Sequence, residues 1–398
     1  MPKLLQINIT ANWGSTGSIA ESIGIAVINA GWESYIAYGR WSRKSQSQLI
    51  RVGNSLDKYL HYAEQLVKDN EGLCSRRATR NLIRQIAYIK PDVIQLHNIH
   101  DHYLNYRLLF DYLNETDIKV VWTFHDCWAF TGHCFHFVTV GCEKWKTECH
   151  NCPLKGDYPQ SFMDCSKRNY KLKKQLFGAN KNMLIVPVSE WMADFVKQSF
   201  LKDKEIQVIK NGVDLNIFKP GTPNDGKKRI LGVSGVWNKD KGLYDFHRLR
   251  EFLNPNDYEI VLVGLSKEQV KELPNGITGI EHTESVQELA ELYASATVFV
   301  NPTYADTFPT VNLEALACGT PVITYKTGGS PEAVTSETGW IVEQGNVEGI
   351  ASTIKSLGLK KDEEVKAQRQ ACRERAEKEF DKNKCFEKYL HLYESLLK

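Results

Sequence analysis

Nothing constrains this chain more than the stretch Asn301 to Val334, NPTYADTFPTVNLEALACGTPVITYKTGGSPEAV, which leaves an apolar strand, enters a helix, and then repeats the move. The first strand is Ala296 to Asn301, stopped by Pro302. Pro309 suits a first helical position, because the N–H it lacks would have no partner there. Leu313, Leu316 and Ala317 share one face at helical spacing, and Gly319 suits the left-handed cap before the next strand, Pro321 to Tyr325. Gly328, Gly329, Ser330 and Pro331 then predict a second helix start. The N–H groups of Thr310 and Val311 head the first helix, where the dipole favours negative charge, so the turn is a candidate phosphate seat. Glu314, one turn further in, is placed to accept hydrogen bonds from vicinal hydroxyls such as those of a ribose, and Asp306 lies in the loop over the seat. On spacing alone these acids equally fit the surface of an ordinary βαβ unit, since anion seats recur across α/β folds.

The start of the chain has a related shape. Leu4 to Ile9 alternates as a strand, the loop Thr10 to Ser18 carries Trp13, Gly14 and Gly17, and Ile19 to Asn29 is helical. This makes a second candidate phosphate or sugar seat, with close packing as the alternative role of the glycines. The strands Pro91 to His97 and Lys119 to Asp126 deliver His97, His100 and His102, with Asn105 beyond, and His125 to the carboxyl ends of a parallel sheet, where ligands bind in such folds. Leu56 to Ile89 reads as helical, with Arg76, Arg77, Arg80 and Arg84 near one face; a solvated face and a foothold on anionic lipid both fit. Lys167 to Lys174 reads as a solvated basic helix start. The turn Asn211 to Asp214 and the polar segment Phe218 to Lys228 mark a boundary, after which Arg229 to Ser234 begins a new strand that leads to Lys239, Lys241 and Gly242. Arg373 to Leu397 reads as a closing helix.

At 398 residues the chain is too long for one ordinary core and suits two domains. Fifty basic against 48 acidic residues leave +2, so nucleic acid is not an expected partner. No apolar run approaches a membrane span, and the first ten residues read as a strand, so a cytoplasmic chain is expected. Six of the ten cysteines fall between Cys127 and Cys165. Cys134, Cys142, Cys149 and Cys152 sit in a segment of little periodicity that a structural zinc would tie down, standing in for a missing core. Two disulfides, or thiols that are simply reduced, are the other readings, and Cys127, Cys165 or His150 could replace a ligand.

The pattern Asp306-x7-Glu314 followed by Ala317-Cys318-Gly319-Thr320-Pro321-Val322 resembles the signature of the retaining glycosyltransferases of family 4 with the GT-B architecture. Asp306 stands where the family usually has Glu, and an Arg usual a few residues before Lys241 is replaced by Trp237 and Lys239. Gly14 to Gly17, Thr123 to Asp126, the Asn211 to Asp214 linker and Lys241-Gly242 resemble further family motifs in the family's order, and the cysteine segment resembles an insertion of the capsule and exopolysaccharide (colanic-acid-type) branch. The resemblance implies an α/β protein, GT-B, with two Rossmann-like doubly wound domains facing across a cleft: residues 1–212, with the insertion 127–165, for the acceptor; 213–378 for the donor; and 379–398 as a helix returning toward the first domain. It implies transfer of a sugar, with retention, from a UDP- or GDP-linked nucleotide-diphosphate sugar to a hydroxyl of a glycan, lipid-linked in surface polysaccharide synthesis, with peripheral contact at the inner face of the membrane. No cofactor is expected for catalysis. The implied catalytic residues are His125, Asp306, Glu314 and Lys241. The donor is assigned Gly14, Gly17, Lys239, Lys241, Phe308, Pro309, Thr310, Val311 and Glu314; the acceptor Trp13, His97, His100 and Asn105. A sugar-nucleotide epimerase, a phosphorylase-like enzyme and a degenerate nucleotide-binding protein are the alternatives.

Overall fold

A computed structural model describes residues 1–222, 224 and 226–398 and parts the chain into two units, 1–210 with 386–398, and 211–385. Of the expected polar linker Phe218 to Lys228, Pro223 and Asp225 lie outside the described residues.

The first unit runs β1 (Lys3–Asn8), α1 (Gly14–Asn29), β2 (Glu33–Tyr38), β3 (Gln48–Arg51), α2 (Ser55–Lys68), α3 (Arg76–Ile89), β4 (Val93–Leu96), α4 (Tyr106–Asn114), β5 (Lys119–Phe124), α5 (Ser166–Ala179), β6 (Met183–Pro187), α6 (Glu190–Gln198) and β7 (Glu205–Ile206). Its seven strands lie parallel in the order β3-β2-β1-β4-β5-β6-β7. The period-2 alternation sorts their side chains onto two faces. Leu5, Ile7, Ile94, Leu96, Val120, Trp122 and Phe124 pack with α3, α4 and α5, whereas Leu4, Val93, Val121, Leu184 and Val186 pack with α1 and the end of the chain. The helical stretch expected over 56–89 is two helices. Asp69, Gly72 and Ser75 take positive φ between them, and Asp69 ends α2 in the left-handed conformation.

The second unit runs β8 (Lys228–Val233), α7 (Leu243–Phe252), β9 (Tyr258–Val263), α8 (Lys267–Lys271), β10 (Ile277–Ile280), α9 (Val286–Ser295), β11 (Val298–Asn301), α10 (Thr310–Ala317), β12 (Val322–Tyr325), β13 (Gly339–Val342), α11 (Val347–Leu357) and α12 (Asp362–Glu379). The parallel sheet has the order β10-β9-β8-β11-β12-β13. Strands β11 and β12 are buried throughout, as strands with helices on both faces must be. The closing helix is broken: α12 stops at Glu379 and α13 (Lys382–Leu396) begins after Asp381, where Val213 pairs with the chain between them. From Phe386 onward α13 belongs to the first unit and fills its α1 face with Phe386, Tyr389, Leu392 and Tyr393.

Both sheets reverse direction of build once, between β1 and β4 and between β8 and β11. In open parallel sheets that switch leaves a crevice beyond the strand ends for a ligand.

Candidate active site

In the second unit the switch-point loops follow β8 and β11, and they bring the expected residues together. Gly242 takes φ +72 and sits so close to Pro302 that an added Cβ would lie 2.3 Å from its carbonyl oxygen. The Asp240 backbone carbonyl accepts from the Tyr304 N–H at 2.7 Å and the Thr303 hydroxyl at 3.1 Å. The two loops are thereby locked, and Lys241 reaches Asp306: its ammonium donates to Oδ2 at 2.6 Å, while Oδ1 accepts from the Phe308 N–H at 3.2 Å. The shorter side chain at 306 is thus accommodated by a direct ion pair. Lys239 is exposed on the same turn.

Helix α10 starts one residue later than expected. Pro309 is its N-cap, in extended conformation, and no side chain caps the helix. A closed set of buried bonds holds this first turn: Asn312 accepts from Asn301 at 2.9 Å and donates to Ser330 at 2.9 Å, Ser330 meets Thr324 at 2.6 Å, and Thr324 donates to the Asn301 carbonyl at 3.0 Å. Glu314 accepts from the Tyr293 hydroxyl at 3.0 Å. Although part of its surface reaches solvent, the protein packed around the carboxyl pushes its pKa up to about 7, against the opposing bonds from Tyr293 and Thr310. The second helix start is corrected. Ser330 to Ala333 is one 3₁₀ turn, and its serine faces inward, not toward a ligand.

In the first unit, Gly14 and Gly17 part company. Helix α1 already begins at Gly14, with φ +65 and open space where a Cβ would stand, whereas a Cβ at Gly17 would lie 2.6 Å from Thr10 Oγ1, so Gly17 is explained by packing. Trp13, 41% exposed, faces Trp41 at 6.5 Å between ring centroids and carries Arg43 over its ring at 4.5 Å.

Alternation puts Gln6, Gln95, His97, Thr123 and His125 on the α1 face of the sheet. Gln6 donates its amide N–H to the Ala20 carbonyl at 2.7 Å, so its oxygen is turned to accept from His97 Nε2 at 3.1 Å. That makes His97 Nδ1 an acceptor, and His125 Nε2 donates to it at 3.0 Å. Burial holds both imidazoles below their ordinary pKa, His125 at about 4, so both are neutral at pH 7. Beneath them Gln95 donates to Thr123 at 2.8 Å, and Tyr393 and Tyr389 of α13 bond to Gln95 and Thr123.

His100 meets Asp126 at 2.9 Å and is stacked on Phe135 at 4.3 Å. Burial would raise Asp126, but His100 outweighs it and holds the acid at about 2. Asp101 and His102, after β4, both take positive φ, a conformation costly for residues with a Cβ. Buried Glu71 clamps them, accepting from their N–H groups at 2.6 and 3.1 Å and pairing with His102 Nε2 at 2.9 Å. Burial opposes the charge on His102, but Glu71 and Asp101 prevail and raise it to about 9. Arg40 donates to Asp101 at 2.6 Å and Tyr158 bonds to the same acid.

Asn105, expected toward the acceptor, has its side chain engaged within the first unit. Its side chain caps α4 by accepting from the Leu108 N–H at 2.9 Å and donates to the Leu73 carbonyl. Gln6, Glu71 and Tyr293, which hold these side chains, are not among the residues the sequence singles out; a polar residue at an inward position of an apolar strand is the signal available for Gln6.

The cysteine segment does not lack a core. Phe130, Phe137 and Trp145 pack together with Phe195 of α6, with centroids 4.9 to 6.3 Å apart. All ten cysteines are free thiols in this structure. Cys134, Cys142, Cys149 and Cys152 line one cavity of about 20 Å³, and the Gly132 N–H donates to Cys149 Sγ at 3.3 Å. The Cys134 thiol bonds to Cys152, which lowers the latter to about 7. Among the described residues no group of three or more His, Cys, Asp or Glu side chains is arranged to hold a metal ion as it stands. Lys173, expected in solvent, is buried beneath this lobe: it donates to the carbonyls of Trp128 at 2.7 Å and Thr131 at 3.2 Å, and burial lowers it to about 7.

With this geometry in place the relatives decide the family. Residues 25–217 match the family model described as Glycosyltransferase Family 4, and residues 227–358 match Glycosyl transferases group 1. The chain belongs to the GT-B glycosyltransferases. This glycosyltransferase is 24% identical over 368 residues to the colanic acid biosynthesis glycosyl transferase WcaC of Escherichia coli strain K12, covering 86% of this chain and 88% of that one. Its fold is similar to the sucrose-phosphate synthase of Thermosynechococcus elongatus, with TM-score 0.74 at 18% identity over 100% and 99% of the two chains. It is also similar to Anabaena HepE in complex with UDP and glucose, with TM-score 0.68 at 15% identity over 99% and 100%. No helix among the described residues is long and apolar enough to cross a membrane.

Proposed function

We propose that this glycosyltransferase moves a sugar from a nucleotide-diphosphate sugar to a hydroxyl of a lipid-linked glycan, with retention at the anomeric carbon. The observation that carries the reading is the Lys241–Asp306 pair beside the uncapped start of α10, with Glu314 one turn on. The sugar's bond to the diphosphate breaks, its anomeric carbon bonds to the acceptor oxygen, and the acceptor proton passes to the departing diphosphate. Lys241 and the N–H groups of Thr310 and Val311 meet the charge that develops on that diphosphate, and Asp306 holds the ammonium ready until the phosphates arrive. Glu314 takes the ribose hydroxyls. Neutral His125, fixed by His97 and Gln6, orients the sugar or the acceptor. The HepE complex, which holds UDP and glucose, supports a uridine donor, and the likeness to WcaC supports an acceptor in surface polysaccharide synthesis.

The test is thermal stabilisation by UDP, GDP, ADP and CMP, followed by NMR of the anomeric configuration of the product. One diphosphate is expected to raise the Tm, and Glu314→Ala to remove the shift; ligand at a hundredfold excess over its Kd adds about 2.7 kcal/mol. Donor turnover with no acceptor-dependent product would overturn the transfer reading.

For the cysteine lobe we propose a structural zinc that draws the four thiols inward, supported by their shared cavity and the N–H bond to Cys149. Metal analysis is expected to find zinc, and a chelator to lower the Tm; a metal-free protein with unchanged Tm would sink it.

A further inference from the structure

Two tryptophans stand in solvent at the strand ends of the first unit, and their loops are built to hold them there. The loop after β2 pairs with the loop after β1: the Ala11 N–H donates to the Trp41 carbonyl at 3.0 Å, the Arg43 N–H to the Ala11 carbonyl at 3.0 Å, and the Asn12 side-chain amide to the Lys44 carbonyl at 2.7 Å. Thr10 fixes Trp13 in turn, its hydroxyl donating to the Trp13 carbonyl at 2.7 Å. The backbone is set, yet both rings are left in water, Trp13 41% and Trp41 53% exposed. Rings of this size are highly buried on average, so a pair held side by side outside the core marks a binding surface.

The surface continues across the sheet. Arg40, whose guanidinium lies 5.5 Å from the Trp41 ring centroid, donates to Asp101 Oδ1 at 2.6 Å. The Tyr158 hydroxyl donates to the same oxygen and so ties the cysteine lobe to the loop after β4. Tyr158 is 51% exposed, and its ring stands 5.2 Å from that of Phe135, which stacks on His100. The lobe is anchored at this point: Gln65 of α2 donates to the Pro159 carbonyl at 2.9 Å, and the Ser161 N–H to the Lys155 carbonyl at 2.8 Å. In the order β2-β1-β4-β5 the rings run from the loop after β2 to the loop after β5, three strand spacings or about 14 Å. One pyranose ring, six atoms joined by bonds of about 1.5 Å, spans a fraction of that.

We infer that this glycosyltransferase takes an oligosaccharide acceptor, whose sugars stack in succession along a track from Trp13 and Trp41 to Tyr158 and Phe135 of the cysteine lobe. The inference rests on the acceptor reading of these strand ends. A pyranose is apolar on its C–H face and rimmed by hydroxyls, so an aromatic ring covers the face while flanking polar groups meet the rim. Arg43 over Trp13, and the Arg40–Asp101 pair between Trp41 and Tyr158, supply those groups. Rings fixed before the ligand arrives lose little freedom on binding, which suits a row of individually weak contacts. The lobe thereby has a task besides its own packing, since it closes the end of the track beside His100 and Asp126.

The test is an array of glycans from single sugars up to hexasaccharides, released from bacterial surface polysaccharides and probed with the fluorescently tagged full chain, beside the Tm shift given by the nucleoside diphosphates. Oligosaccharides are expected to bind and single sugars not. Trp41→Ala and Tyr158→Ala should each weaken binding of the longest glycans about tenfold, the scale of losing one stacked ring, and reduce the preference for long over short. Both side chains are about half exposed, so an unchanged Tm and an unchanged nucleotide shift separate a lost track from lost folding or a lost donor site. If an alanine variant loses Tm, Trp41→Leu and Tyr158→Leu, which keep apolar bulk without the flat face, give the same comparison. Single sugars that bind as tightly as oligosaccharides, variants that bind as tightly as the unaltered chain, or no binding to any glycan of the array would overturn the inference. A chain that binds oligosaccharides through these rings but shows no nucleotide shift would overturn the donor reading instead.

Discussion

The ends of the two sheets are made rigid in opposite ways. In the second unit the groups that matter hang from backbone: a helix start, a 3₁₀ turn ending in a left-handed glycine, and a ring of small amides and hydroxyls that joins β11, α10 and β12. In the first unit the sheet end is an assembly of imidazoles and carboxylates from separate loops, His97 with His125 and Gln6, His100 with Asp126, His102 with Glu71. A diphosphate has one shape and one charge, so a fixed backbone seat suits it. A particular hydroxyl of a particular glycan needs side chains, and side chains at a sheet end need partners to hold their tautomers and rotamers.

The contrast predicts unequal damage. Lys241→Ala removes the cation paired with Asp306 beside the start of α10, so kcat/KM is expected to fall about a hundredfold to a thousandfold, the scale of losing one donor to a developing anion. A loss near the tenfold expected below for Gln6→Leu would end the distinction. Glu314 tests the same seat through pH. Its folded pKa of about 7 lies above its ordinary 4.5, so the folded chain binds the extra proton between those values. Its stabilising contribution is fully present below 4.5 and lost as pH rises through 7. The Tm of the unaltered chain, measured against Glu314→Gln, should therefore fall over that window and level off above it.

On the other side, Gln6→Leu leaves the His97 N–H without an acceptor. Unfolding in urea should show a loss of about 1–3 kcal/mol, and kcat/KM should drop about tenfold as His125 loses its fixed partner, a misplacement effect. The smallest effect on turnover is expected from Asn105→Ala. Loss of the α4 cap should cost about 1 kcal/mol in stability and leave kcat/KM unchanged; a fall in kcat/KM would return Asn105 to the acceptor site.

Much of the strand-end turns of the second unit was legible because their signals are close in the chain. Pro309, Glu314 and Gly319 announce helix start, inward acid and helix end within a dozen residues, and the structure moves the start by one position. The sheet end of the first unit was legible only as strand ends bearing histidines. Which histidine pairs with which acid depends on Glu71 and Asp126 arriving from other loops, and nothing local to His102 or His100 names them. Lys173 misled for a related reason: one lysine in a basic helix reads as solvated, yet the helix turns it beneath the cysteine lobe.

The sequence by itself determined the alternation of strand and helix, the two-unit plan and the helix start near Pro309, because these follow from residue spacing and from the backbone demands of a helix start. Only the tertiary structure decided that Asp306 pairs with Lys241, that Gln6 sets the tautomer of His97, that Asn105 bonds to Leu73, and that Tyr158 meets Asp101. Each of these depends on a partner far along the chain. Loop closure and sheet order choose such partners, and residue spacing carries no record of that choice.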